Sequence, residues 1–204
     1  MTRHLPLALT LLGCLSPATQ VHAGTVSLTV TDASGKPLPD AVALLEPVGA
    51  KVPVKPLPDT EIAQRQRQFI PRVTVITTGT RVNFPNFDTV RHHVYSFSSI
   101  KAFELKLYAG VPGTPVVFDK PGVAVIGCNI HDKMAGWIVV ADTPWFARIG
   151  ADGRGTLAAV PAGHYRLSVW HAALPATPRA APVDFIVSAA DQQHAVQLPV
   201  DVQP

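Results

Sequence analysis

Short runs of β-branched or alternating apolar residues follow one another along nearly the whole chain. They cover 26–31, 72–77, 80–84, 94–97, 115–118, 123–128, 136–140, 165–170 and 183–187. Turn-forming pairs bound them, among them Ser34-Gly35, Thr78-Gly79, Pro121-Gly122, Asp152-Gly153 and Ala162-Gly163. No stretch of about twelve residues carries a helical period. A chain written this way predicts an all-β sandwich or barrel.

Composition narrows the picture. Of 204 residues 20 are proline, and charged residues make up only 15%, against about 25% in ordinary soluble domains. Long helices, coiled coils and acidic tails are therefore excluded. The net charge of +3 is small, and apart from Arg65, Arg67 and Arg72 the basic residues are scattered, so no nucleic-acid partner is expected.

The N-terminal pattern stands apart. Arg3, an apolar run over 5–15 and Val21-His22-Ala23 read as an export signal, cut after Ala23, over residues 1–23. The run is too short to span a bilayer, which takes about 20 residues, and no transmembrane segment is expected later. The expected compartment is the periplasm. A rival reading takes Leu11-Leu12-Gly13-Cys14 as a lipoprotein box, with a lipid anchor on Cys14. The chain has two cysteines, Cys14 and Cys128. Under either reading Cys128 has no partner within the fold for a disulfide.

Two segments share one style. Thr31-Asp32-Ala33-Ser34-Gly35-Lys36-Pro37-Leu38 precedes the small-residue run Ala41-Val42-Ala43-Leu44-Leu45. Much later, Val160-Pro161-Ala162-Gly163-His164-Tyr165-Arg166-Leu167 follows Asp152-Gly153-Arg154-Gly155. These halves resemble the opening and closing strands of the transthyretin-like or carboxypeptidase-regulatory-like sandwich. That resemblance implies a split domain, 24–60 and 143–204, with a second domain inserted at 61–142. Insertion is physically easy because domain termini usually lie close together.

The chemistry lies in Gly127-Cys128-Asn129-Ile130-His131-Asp132-Lys133-Met134. Thiolate, imidazole and thioether stand at Cys-x-x-His-x-x-Met spacing directly after a strand. They can share one ion only if the loop folds tightly back, which Asn129, Asp132 and Gly136 favour. Sulfur with imidazole selects copper or zinc over magnesium or calcium, and a Cys, two His and a weak axial Met form a blue-copper set. Thioether is a poor zinc ligand. The second histidine is available in Asn83-Phe84-Pro85-Asn86-Phe87-Asp88-Thr89-Val90-Arg91-His92-His93-Val94-Tyr95. Strand alternation leaves His92 and His93 both open.

Over 61–142 the chain resembles a cupredoxin, with a ligand loop spaced as in amicyanin. More narrowly, 84–97 and the Cys128 loop resemble secreted cupredoxin-like proteins often labelled methylamine-utilisation proteins. The resemblance implies a Greek-key β-sandwich or barrel beside the smaller immunoglobulin- or transthyretin-like one. It implies one copper ion on His92, Cys128, His131 and Met134, with His93 as the alternative first ligand; matching His-x-Val to the family favours His92. Two departures stand out. His93 replaces the usual Asn that ties the ligand segments together, and Gly127 replaces a larger residue.

The expected function is a type 1 copper protein, not an enzyme. It would carry single electrons between redox proteins such as a cytochrome or a dehydrogenase, through the edge of His131. The alternatives are a copper carrier or sensor without redox turnover, or a structural module with a zinc or vestigial site. Phe84 and Phe87 are expected as core or loop plugs, and His164 and His171 as surface or edge-strand residues.

Overall fold

The computed structural model describes residues 23–174 and 182–202; the lipid-anchor reading and all of the export signal but Ala23 fall on residues outside these. The first two strands are β1 (Ala23–Thr31) and β2 (Val42–Pro47). The short strands β3 (Thr60–Glu61), β4 (Ala63–Arg65) and β5 (Gln68–Ile70) follow, then β6 (Val73–Thr77) and β7 (Thr80–Asn83). Next come β8 (His92–Ser98), β9 (Lys101–Tyr108), β10 (Val116–Phe118), β11 (Gly122–Gly127) and β12 (Ala135–Ala141). The last five are β13 (Trp145–Arg148), β14 (Arg154–Pro161), β15 (Gly163–Trp170), β16 (Val183–Val187) and β17 (Gln192–Gln197). Among the described residues there is no helix.

Apart from β4 and β5, which pair as a separate hairpin, these strands stack as four layers. A three-stranded sheet, β14-β1-β17, faces a four-stranded one, β13-β2-β15-β16. Between them lies an apolar core of Val26, Leu28 and Val30 from β1 against Leu45, Leu167, Val169 and Phe185. We call this pair the flanking body, since its strands come from both ends of the chain. In the central body a five-stranded sheet, β6-β12-β11-β8-β9, faces β10-β7-β3. Phe84, Phe118, Ile76, Ile126 and Ile138 fill the space between those two sheets. A third cluster joins the bodies: Val42 and Leu44 meet Val73, Val139 and Ala141, with Trp137, Phe146 and Trp170 around them.

Strand β2 explains itself by this position. Its residues Val42, Ala43, Leu44 and Leu45 are all buried, because odd positions face the flanking core and even positions face the central body. A strand covered on both sides reads as a continuous apolar run. Apart from β2, the strands that the hydrophobic pattern does not reveal, β3, β4, β5, β9, β13, β14 and β17, all lie at sheet edges. One face of β9 carries Lys101, Phe103 and Leu105, none fully buried, while Glu104 and Lys106 mark it as a charged edge.

Several single residues differ from expectation for visible reasons. Phe84 is in the core, but Phe87 is 48% exposed and carries the Arg65 guanidinium 3.9 Å above its ring. His164, by contrast, is exposed as expected, on the interior strand β15. His171 is buried, not a surface residue. The turn after β15 folds it inward, and its Nδ1 accepts a hydrogen bond from the Ala173 N–H at 3.1 Å.

Candidate metal centre

Two neighbouring strands of the five-stranded sheet deliver the site. Along β11, Ala124 and Ile126 point into the central core and Val125 points out. The two-residue period then aims Cys128, one step past the strand end, inward. The next residues turn back at once. The Met134 N–H donates to His131 O at 2.9 Å, and the Cys128 N–H donates to Met134 O at 3.2 Å. Met134, buried in the same apolar cluster as Cys128, closes the loop and starts the return into β12.

Beside β11 runs β8, and Gly127 pairs with Tyr95 across the two. Val94 and Ser96 are buried on the inner face of β8, whereas Phe97 on the outer face is 85% exposed. His92 belongs to the inner set. A register irregularity between His92 and Val94 in the pairing with β9 accompanies the change from loop to strand.

The result is a cluster of three donors. His92 Nδ1 lies 3.9 Å and His131 Nδ1 lies 3.7 Å from Cys128 Sγ, and all three donor atoms fall within 4.8 Å of one another. The imidazole rings meet edge-on, centroids 4.9 Å apart. Donors about 2.0–2.3 Å from a shared ion and ~110–120° apart are separated by about 3.6–3.8 Å. The Cys128–His131 distance falls within that spacing and the Cys128–His92 distance exceeds it by about 0.1 Å. Soft sulfur with two imidazoles is a donor set for copper or zinc, so the residues fit a transition-metal ion. His92 and Cys128 are buried and His131 is half-buried, so one ligand edge alone reaches solvent.

His93 is placed elsewhere. Its side chain leaves the cluster for the β9 side, where Nε2 lies 2.8 Å from Glu104 Oε1 and the ring stacks obliquely on Tyr95. It is buried because Glu104 and Tyr95 cover it, and its Nδ1 has no partner among the described residues. Alternation alone does not separate the two histidines, since both are buried, one by the core and one by its neighbours. Gly127 has an equally local reason. A Cβ there would stand 3.0 Å from Cζ and Oη of Tyr95, so the glycine makes room for that ring against the strand leading to Cys128.

The residue that sequence reasoning passes over is Asp88. Its Oδ2 lies 2.7 Å from His92 Nε2, on the side of the ring away from Cys128. The carboxylate also accepts the N–H groups of Gln66 (2.6 Å) and Arg67 (2.9 Å), at the tip of the β4–β5 hairpin. Burial pushes its pKa up, but the hydrogen bonds from Arg67, His92 and Gln66 outweigh burial and hold it below the usual carboxylate value. No local pattern points to it, because the contact exists only once the 84–91 loop folds back. Asn86 makes that fold: its side chain accepts the Asp88 N–H and donates to Val90 O and Tyr108 O. Nearby, burial pushes the Tyr108 phenol up to about 12, with the Cys128 charge adding to the rise and Gln64 opposing it. Tyr108 therefore stays protonated and donates to Phe84 O.

No protein-family model matches the chain, and no curated protein matches it. Among solved structures, it is similar to a purple cupredoxin from Nitrosopumilus maritimus, at 22% identity and a TM-score of 0.36, over 40% of this chain and 98% of that one. A reduced amicyanin variant aligns at 15% identity and a TM-score of 0.37, over 48% of this chain and 97% of its own. A copper-containing nitrite reductase from Thermus scotoductus aligns at 27% identity and a TM-score of 0.38, over 54% of this chain and 28% of its own. No helix among the described residues is long and apolar enough to cross a membrane.

Proposed function

We propose that this chain is an exported type 1 copper protein that carries single electrons between redox partners and catalyses no reaction of its own. The observation that carries the reading is the convergence of His92 Nδ1, His131 Nδ1 and Cys128 Sγ at spacings suited to one ion. Bound copper would supply one-electron exchange. In this reading His92, Cys128 and His131 are the strong ligands, and Met134 is the weak axial one. The chain's own contribution is rigidity. Cys128 and His92 are anchored at the ends of paired strands, and the loop between Cys128 and Met134 is closed by main-chain hydrogen bonds. A site held in one shape accepts a change of charge with little rearrangement. His131, half-buried next to the half-exposed Ile130, is the electron port. The burial of His92 and Cys128 favours an ion that is retained over one that is handed on. We take the flanking body to be a transthyretin-like sandwich, split by the insertion of 61–142, that serves as a docking or spacing module. The Arg3 and apolar 5–15 pattern supports export to the periplasm.

The test is to load the purified protein with copper and record its visible absorption and electron paramagnetic resonance. An intense sulfur-to-copper band is expected, lost in Cys128→Ala and His92→Ala and kept in His93→Ala. A colourless protein that holds only zinc, or a band abolished by His93→Ala and not by His92→Ala, would overturn the assignment.

A further inference from the structure

The two imidazoles of the centre are held in unlike ways. His131 has no carboxylate partner among the described residues, whereas His92 is fully buried with an acidic oxygen 2.7 Å from its outer nitrogen. We propose that Asp88 is a positioning residue for His92: it fixes the imidazole tautomer and, as a half-buried anion behind the ligand, biases the centre toward the more highly charged ion. This deepens the copper reading and rests on it for its second half.

The tautomer follows from counting donors. Two of the contacts to Asp88 are main-chain N–H groups, from Gln66 and Arg67, which can only donate. A carboxylate that accepts both is ionised and also accepts from the imidazole, so Nε2 of His92 carries the proton. Nδ1 is left with its lone pair, on the side facing Cys128 Sγ. No water competes for this arrangement, because the ring is fully buried.

The carboxylate is itself held at a distance from the core. Gln66 and Arg67 both have left-handed backbone angles, φ 52° and 58°, and their two successive N–H groups form a fork around Asp88. From the other side, Asn86 holds the Asp88 N–H and ties the loop to β9 through Tyr108 O. The β4–β5 hairpin, the loop before β8 and strand β9 thus all bear on one ligand ring. A carboxylate hydrogen-bonded to a ligand imidazole makes it a stronger donor, and such partners are worth about 10–100-fold in metal affinity. A negative charge also favours Cu2+ over Cu+. Asp88 thus anchors His92 from the side opposite Cys128.

Two measurements test this. In metal-free wild-type protein, nitrogen-15 NMR of the histidine rings should show His92 protonated on Nε2 alone, with its ring proton shifted far downfield by the carboxylate. In copper-loaded protein, the isosteric Asp88→Asn should keep the sulfur-to-copper band and raise the reduction potential. The ratio of Cu2+ to Cu+ affinity should fall about tenfold, equivalent to ~59 mV for one electron. Asp88→Ala should move the potential in the same direction and abolish the downfield resonance. A purely structural role would weaken both oxidation states equally and leave the potential where it was. An unchanged potential in Asp88→Asn with the band intact, or His92 protonated on Nδ1 in the metal-free protein, would overturn the proposal. Failure of the wild type to bind copper would instead overturn the copper reading, and with it the bias toward Cu2+, while the metal-free spectrum still decides the tautomer.

Discussion

The flanking and central bodies are built alike, each from two facing sheets over a core of valine, leucine, isoleucine and phenylalanine, yet they treat buried polarity differently. In the flanking body, buried polar groups are closed by near neighbours. Asp32 accepts the N–H groups of Ser34 and Lys36 and the Ser34 hydroxyl. Buried Thr143 donates to Leu45 O and accepts from the Trp145 N–H. In the central body, one end of the core holds a thiol and two imidazoles whose donor atoms cluster, with sulfur–nitrogen separations of 3.7–3.9 Å, long for hydrogen bonds. Saturated polar groups specify a turn or a strand end. Unsaturated ones held close together make a site, because burying them uncompensated is costly unless something binds there.

The largest test of this contrast asks whether the bodies stand or fall together. Leu45→Ala, in the flanking core, and Ile138→Ala, in the central core, should each cost about 2–5 kcal/mol in urea unfolding. The shared layer around Val42, Leu44 and Val139 should keep the loss within a single transition. Two separate transitions in Leu45→Ala, with the later one at the wild-type midpoint, would show that the bodies are uncoupled. Copper should raise the midpoint of Ile138→Ala, since an ion that binds only the folded state stabilises it by mass action.

A smaller effect sharpens the comparison at the site itself. Gly127→Ala should cost about 1–3 kcal/mol, because the added carbon meets the Tyr95 ring. Tyr95→Leu should recover part of that loss, and a double-mutant cycle on the two positions should show clear coupling. Simple additivity would mean that the ring is free to move aside.

The smallest effect belongs to the flanking body and to pH. Burial, the main influence, lowers the pKa of His171 from the ordinary 6.5; Arg72 adds to the fall, while Asp40 and a hydrogen bond to Pro39 oppose it. Burial likewise lowers His194, whose ring stands edge-on to Phe185. Between the folded value and 6.5 the unfolded chain binds more protons, so stability is complete above about pH 6.5 and declines as pH falls through that window. Urea midpoints at pH 7.5 and 5.5 should differ in that sense, and His171→Gln with His194→Gln should flatten the difference. An unchanged slope would locate it elsewhere.

Much of the molecule is legible in its amino-acid sequence. The β class follows from two-residue periods and turn pairs, which are local. Cys128, His131 and Met134 stand within seven residues, so their spacing alone predicts a shared ligand loop. Edge strands such as β9 and β17 stay hidden because one weakly buried face leaves little apolar signal. His171 reads as a surface residue because burial by a turn leaves no periodic trace.

The sequence by itself determined the chemistry on offer: a soft donor set, an upstream pair of histidines and strands short enough for sandwiches. Only the tertiary structure decided which histidine joins the donor cluster and what stands behind it. His92 and His93 are neighbours with opposite outlooks, and the difference lies in which strand packs on each face. Asp88 reaches His92 through a loop closed by Asn86 and a hairpin tip more than twenty residues away in the chain. Asp88 stands only four residues before His92, but the hairpin-tip contacts that hold it are long-range in sequence, so no local pattern encodes them.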